Sequence, residues 1–490
     1  MLSTANRSVY CKSFWFFYLV IILGCQRGST VKFLNGADAL MLYSEKPNVH
    51  IHTLKVAIIK LDDDCRNFDI ESFRWAIRNR LYKLEPLRYQ LVNVPFKLHH
   101  PIWREHCDVD LDYHIRPWRL PSPAGRRELH EAIGEIATTP LDRRRPLWEM
   151  YVVSGLSDGR IAVVTKIHHA LVDGVAAANL FARSMDPQPG PVARPYLPDP
   201  APRKWQVMRL ALADHLHQAG RIPGTIRHTA QSLARMRRSS RELSAAVPRS
   251  AAPPRTFINH LLAGPQRRFA SVSLALADVK RTARHLGVTI NDLVLAMSAG
   301  ALRSLLLRYD GKADPLLALI PVSWDLSADR ISGNCADALS VVLPVDLQDP
   351  LERVQRCHEN AILSKERHRL RGPRLLSRWL DCALPVAVES GLRLASSRRA
   401  VSKMPNVTIA NVDGAFQRYG RVGGALVTEI YSVGHLPPWS GLNVTVWSYV
   451  DQLNIAVLTD GATVDDPHEV TAAMNTEFAE IRRNAGLSSC

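Results

Sequence analysis

Short apolar runs alternate with amphipathic stretches from residue 34 onward, and this patterning predicts recurring strand-then-helix units. His52 to Leu61 alternates and runs apolar like a strand, and Asp69 to Tyr82 places Ile70, Phe73, Ile77 and Leu81 at helical spacing. Met150 to Ser154 and Ile161 to Val164 read as strands, the second followed by an Ala-rich helix from Val175 to Met185. Farther along, Phe269 to Leu276 reads as a strand, Val279 to His285 and Leu293 to Leu307 as helices, and Asp465 to Arg482 as the last helix. Strands alternating with helices favour an α/β class. Between the two series lie a Pro-rich stretch, Pro187 to Pro202, and then Lys204 to Arg249, which reads as amphipathic basic helices interrupted at Gly220 and Pro223. The chain thus divides into an N-terminal extension (1–30), a first domain (31–186), a linker (187–253) and a second domain (254–490).

Composition narrows the classes. A chain of 490 residues with 46% hydrophobic content and no internal run of eighteen apolar residues predicts large cores, not a multi-span membrane protein. The formal charge of +16 invites a nucleic-acid reading, but no RNP, zinc-finger or helix-turn-helix signature accompanies it, so no nucleic-acid partner is expected. Anionic lipid head groups satisfy the same electrostatics. Eight cysteines are scattered without paired spacing and indicate neither a zinc site nor a disulfide framework. Asp108, Asp110 and Asp112 lack the glycine and distal Glu of a calcium loop, so no metal is expected.

The chemistry concentrates in Thr165-Lys166-Ile167-His168-His169-Ala170-Leu171-Val172-Asp173-Gly174, at the turn from a strand to a helix. A histidine at a strand end is commonly structural, and adjacent side chains point in different directions, so at most one of the pair faces a substrate. The pattern H-H-x-x-x-D-G, from His168 to Gly174, resembles the signature of the acyl-CoA-dependent acyltransferase superfamily, which includes chloramphenicol acetyltransferase-like enzymes and peptide-synthetase condensation domains. A second block, Pro140-Leu141-Asp142-Arg143-Arg144-Arg145-Pro146-Leu147-Trp148-Glu149, resembles the P-L-D-R-x-R-P-L-W-E segment of the wax ester synthase and diacylglycerol acyltransferase branch. Leu34 to Glu45, Gly287 to Asp292, Gly333-Asn334 and Gly441 to Tyr449 continue the likeness in order. His99-His100 lacks the following D-G and is a decoy.

The resemblance implies a two-domain α/β fold of the chloramphenicol acetyltransferase type, with mixed sheets flanked by helices and His169 at the domain interface. It makes His169 the general base, His168 a supporting residue and Asp173 a structural brace paired with an arginine. Gly174 would leave room beside the imidazole or simply start the helix, and Asn291 would either cap a helix or place a carboxamide near the thioester as a substrate-binding group. The Pro140 to Glu149 block is expected to be structural, supporting the histidine strand. One departure stands out: relatives usually show P-V-S-x-R, and this chain has Asp325 in the arginine position, leaving Arg330 as the nearest substitute.

By the same resemblance the protein is an O-acyltransferase that takes a long-chain acyl group from acyl-CoA to diacylglycerol, a fatty alcohol or both, with no cofactor or metal. Acyl-CoA is its substrate, and its +16 charge suits coenzyme A phosphates as well as anionic lipid. The Asp325 departure and the altered Ala410 to Ala415 block leave two alternatives open: acylation of another lipid alcohol, or an inactive homologue that binds lipid surfaces. The Lys204 to Arg249 segment suits the surface of a membrane or lipid droplet, with a solvated arm packed on the domains as the other reading. Arg7 and Lys12 precede the apolar Phe14 to Leu23, and Ile22-Leu23-Gly24-Cys25 resembles a lipobox. Dependence on cytosolic acyl-CoA nevertheless predicts a cytoplasmic, peripherally membrane-associated enzyme, not an exported one.

Overall fold

The computed structural model describes residues 32–61, 69–185, 198–243, 253–397, 403–414, 418–422 and 425–487. The expectations for residues 1–30, for most of the Pro-rich linker and for Ala415 lie outside these residues. In chain order the strands are β1 (Lys32–Phe33), β2 (His52–Lys60), β3 (Gln90–Val92), β4 (Ile102–Arg104), β5 (Ile115–Arg119), β6 (Trp148–Ser154), β7 (Ile161–His168), β8 (Arg267–Ala275), β9 (Leu316–Ser323), β10 (Ala336–Leu343), β11 (Val407–Val412), β12 (Arg421–Val422), β13 (Ala425–Val433), β14 (Leu442–Tyr449) and β15 (Gln452–Asp460). The helices are α1 (Gly36–Ser44), α2 (Ile70–Arg78), α3 (Leu111–His114), α4 (Arg126–Thr138), α5 (Gly174–Ser184), α6 (Lys204–Leu243), α7 (Leu276–His285), α8 (Ile290–Tyr309), α9 (Pro350–Arg371), α10 (Leu375–Cys382), α11 (Pro385–Ala395) and α12 (His468–Asn484).

Two six-stranded mixed sheets organise these elements, in the orders β12-β13-β2-β7-β6-β5 and β10-β9-β11-β14-β15-β8. The fold is therefore mixed α/β with helices flanking both sheets, as the resemblance implied. One face of the first sheet packs on α2 and α5 through Phe73, Ile77, Val163, Ile167 and Leu180. Its other face packs on α4 and meets the second sheet at Phe269, Ala456 and Leu458. Strands β12 and β13 come late in the chain yet complete the first sheet, with β13 running antiparallel to β2. Division by sequence alone does not mark that crossing, because alternation announces a strand without naming its partner.

Local signals account for most element starts. Asn35 caps α1 by accepting from Asp38 N at 2.7 Å, and Asp69 caps α2 by accepting from Glu71 N and Ser72 N. Two expectations are corrected. The cap of α8 is Thr289, whose hydroxyl accepts from Asp292 N while the Asp292 carboxylate accepts from Thr289 N, so Asn291 lies inside the first turn and caps nothing. And α6 is one continuous helix through Gly220 and Pro223. Pro223 lacks an N–H, but the helix is held from outside: His215 contacts the Leu98 carbonyl, Asp214 pairs with His99, and Trp379 of α10 donates to Thr229.

Candidate active site

Strand β7 delivers the histidines. Side chains alternate along a strand, so Val163, Thr165 and Ile167 share one face, and His169, two residues past Ile167, follows on that side where the strand ends. That face lines a narrow apolar cavity with Ala57 of β2 and with Phe73 and Ile77 of α2. His168 belongs to the opposite face. The backbone at the turn is pinned from both sides: His169 N donates to the Ile51 carbonyl at 2.8 Å, and Gly333 N donates to the Leu171 carbonyl at 2.7 Å.

Three residues set the state of the His169 ring. Asn334 Nδ2 donates to Asp38 Oδ1 at 2.8 Å and to the His169 carbonyl at 2.6 Å, which spends its amide hydrogens and turns Oδ1 toward the imidazole. His169 Nδ1 lies 3.0 Å from that oxygen and must carry the proton. The lone pair is then on Nε2, which has no hydrogen-bond partner among the described residues. Burial lowers the His169 pKa below its ordinary value, with the Asp173 charge acting the other way, so the ring is neutral and basic at neutral pH. Asp38 is itself buried, and desolvation pushes its pKa up to about 7 against the hydrogen bonds from Asn334.

Asp173 has no hydrogen bond to this ring among the described residues and ties the turn together. It caps α5, with Oδ1 accepting from Ala176 N at 2.9 Å, while Oδ2 accepts from Cys335 N at 2.9 Å. Arg330 Nη2 donates to the same carboxylate at 2.9 Å, with Asp173 buried and the Arg330 side chain 10% exposed. Arg330 also donates to the carbonyls of Gly333 and Asp325, and Asp325 turns its carboxylate to Ser327. Gly174 is the first residue of α5, and a Cβ there would sit 3.0 Å from Val412 of β11, so its missing side chain admits the second sheet.

His168 is fully buried and accepts from Ala170 N through Nδ1 at 3.0 Å. Its Nε2 faces Glu45, which Arg143 grips at 2.7 Å. Burial alone would raise the Glu45 pKa, but hydrogen bonding and charge from His168 and Arg143 outweigh it and hold the group at about 2. The Pro140 to Glu149 block therefore braces the histidine strand. Arg143 reaches Glu45, Trp148 donates to the Leu87 carbonyl, and Glu149 pairs with Lys166 at 3.0 Å.

The remaining sequence candidates lie apart from this cluster. Asn291 is absent from the contacts of His169; its neighbour Asp292 pairs with His358 of α9. Asp110 and Asp112 pair with Arg145 and Arg74, and His99 and His100 are hydrogen-bonded to Asp214, Tyr43 and the Leu380 carbonyl. Two residues near His169 had no sequence signal. Lys55 is buried between Thr53 and Ser432 with its ammonium 5.1 Å from the Trp447 ring, and burial lowers its pKa to about 7. The His435 ring stands edge-on to that of His169, with centroids 5.1 Å apart and planes at 82°.

Comparison with known proteins fits this geometry. Residues 34–294 match the wax ester synthase/diacylglycerol acyltransferase catalytic domain, and residues 332–482 match the C-terminal domain of the same family. The chain belongs to the wax ester synthase/diacylglycerol acyltransferase family. It is 63% identical over 458 residues to a Mycobacterium tuberculosis protein provisionally named diacylglycerol O-acyltransferase, covering 94% of this chain and 97% of that one. Another so named from the same organism is 34% identical over 459 residues, covering 91% and 96%. Among solved structures, the wax ester synthase/diacylglycerol acyltransferase of Marinobacter aquaeolei VT8 superposes with a TM-score of 0.64 at 25% identity, over 93% of this chain and all of that one. The first condensation domain of the calcium-dependent antibiotic synthetase shares the fold, with a TM-score of 0.59 at 15% identity over 93% and 97%. The family and the site together make the chain an acyltransferase.

Proposed function

We propose that the protein transfers a long-chain acyl group from acyl-CoA to the hydroxyl of diacylglycerol, a long-chain alcohol or both. The observation that carries this reading is the His169 ring, with its Nδ1 proton committed to Asn334 and its Nε2 lone pair uncommitted among the described residues. The alcohol oxygen attacks the thioester carbonyl carbon as its proton passes to Nε2; the carbon–sulfur bond then breaks and the imidazolium protonates the departing thiolate. One residue serves both halves, and no acyl-enzyme is required because transfer is direct. The enzyme works from the cytoplasmic side and rests on lipid through α6, which exposes Trp205, Leu212, Leu216 and Leu233 among arginines.

The test is to incubate purified protein with one labelled acyl-CoA and a panel of acceptors: diacylglycerol, long-chain alcohols and other lipid alcohols. Ester formation with diacylglycerol or a long-chain alcohol supports the proposal. Transfer only to a different lipid alcohol, or none at all with retained liposome binding, overturns it.

A further inference from the structure

His435 is a second imidazole at the reacting centre, and no step above uses it. It follows Gly434 in the turn from β13 of the first sheet to β14 of the second, so its position is set where the chain crosses between the sheets. The turn is tightly built. Gly434 N donates to Thr445 Oγ1 at 3.0 Å, that hydroxyl donates to Asn443 Oδ1 at 2.8 Å, and Asn443 Nδ2 donates to the His435 carbonyl at 3.1 Å. A Cβ on Gly434 would lie 2.8 Å from Asn443 and 2.9 Å from Thr445, so these polar groups close around the backbone.

The ring, by contrast, is uncommitted. Neither nitrogen of His435 is hydrogen-bonded to a described residue, although the ring is half-buried against His169. Burial, with the neighbouring histidines adding to it, pushes its pKa down to about 3, so it is neutral and offers one N–H and one lone pair. A charged ring in this place would depress the basicity of His169 further.

An attacking alcohol oxygen directs its proton to His169 Nε2 and one lone pair to the thioester carbon, which leaves its other lone pair free to accept a hydrogen bond. A donor there restricts the hydroxyl to orientations that react. We propose that His435 is the acceptor-positioning residue: its ring N–H donates to the hydroxyl oxygen of the incoming alcohol and aims the O–H at His169 Nε2. This rests on the alcohol-acylating reading above.

The experiment compares full-length wild type with His435→Phe, which keeps an aromatic ring without polar atoms, and His435→Gln, which keeps an N–H donor. Initial rates are measured with acyl-CoA saturating and the alcohol varied, then the reverse. Removing one hydrogen bond of ordinary strength from the acceptor predicts that His435→Phe raises the KM for the alcohol about three- to tenfold. The KM for acyl-CoA should stay within about twofold, and His435→Gln should recover most of the loss. If His435→Phe does not fold, His435→Met supplies the same comparison. An unchanged alcohol KM overturns the proposal, whether turnover is normal or kcat alone falls; the latter would place His435 on the thioester oxygen instead. Wild type that transfers to no alcohol fails the functional reading itself, an outcome separate from transfer that His435→Phe leaves intact.

Discussion

Arg330 Nη2 donates to Asp173 Oδ1 at 2.9 Å, so the motif aspartate keeps an arginine partner although Asp325 stands where the P-V-S-x-R pattern would put one. The guanidinium enters from the same β9–β10 connection, five residues farther on, and the Asp325 carbonyl accepts from it. Breaking a buried pair by removing one partner leaves a desolvated charge behind. Arg330→Gln should therefore cost about 3 to 5 kcal/mol of unfolding free energy. Activity should fall with stability in both Arg330→Gln and Asp173→Asn, read by denaturant titration beside acyl transfer. A variant that melts like wild type but does not turn over would move Asp173 from bracing into the chemistry.

Buried Asp38 gives a pH signature. Its folded pKa of about 7 lies above the ordinary carboxylate value, so its contribution to stability is full below about pH 4 and is lost as pH rises through 7. Asp38→Asn keeps an oxygen for Asn334 and removes the ionisation. The stability of this variant minus that of wild type should grow by a few kcal/mol between about pH 4 and 8. Lys55, with its pKa lowered to about 7, changes charge in the folded state near the upper end of that window, but it is common to both proteins and cancels in the difference. A flat difference curve would mean that Asp38 does not carry a raised pKa.

Much of this was legible in the sequence where a local signal exists. The β7 strand, the helix after Asp173 and the role of Arg143 to Trp148 follow from apolar runs, a cap and a quoted block. The Thr289 cap is also legible, since Thr-x-x-Asp is a capping box, although Asn291 two residues on is itself a cap-forming residue type and reads equally as a cap or a substrate-binding carboxamide. The His169 partner Asn334, and Asp38 behind it, were not legible, because they lie 165 and 131 residues from His169 in sequence and only tertiary structure brings them together. Helix α6 reads as broken because Pro223 is a local breaker, whereas the contacts that hold it against the rest of the fold come from other elements.

The exposed side of α6 predicts lipid association with a particular salt dependence. Leu212 and Leu216 are exposed one turn apart, and Arg209 and Arg227 are exposed on the same helix. Leu212→Glu with Leu216→Glu should weaken flotation with anionic vesicles, and rising salt should weaken wild-type binding as the arginines are screened. Thermal unfolding should stay close to wild type because neither leucine is buried. Binding that ignores both the double substitution and salt would remove α6 from the surface contact.

The most specific prediction concerns Asn334, because the tautomer of His169 is set by this one side chain. With Oδ1 accepting from Nδ1–H, the lone pair is fixed on Nε2. Asn334→Ala removes that acceptor and lets the ring populate the other tautomer, whose Nε2 carries a proton and cannot act as a base. Turnover should fall, but by less than in His169→Ala, for which the loss of acid-base catalysis predicts on the order of 100 to 10,000-fold. The pH profile separates this from simple loosening of the loop. The Asn334 oxygen favours the protonated ring, so its removal should move the acid limb of kcat/KM to lower pH, away from the ordinary histidine value. His168→Ala, which loses a group facing Glu45, should instead lower stability and leave that limb in place. If Asn334→Ala moves the limb upward, or keeps full turnover with an unmoved limb, the assignment of the Nδ1 proton to Asn334 is wrong.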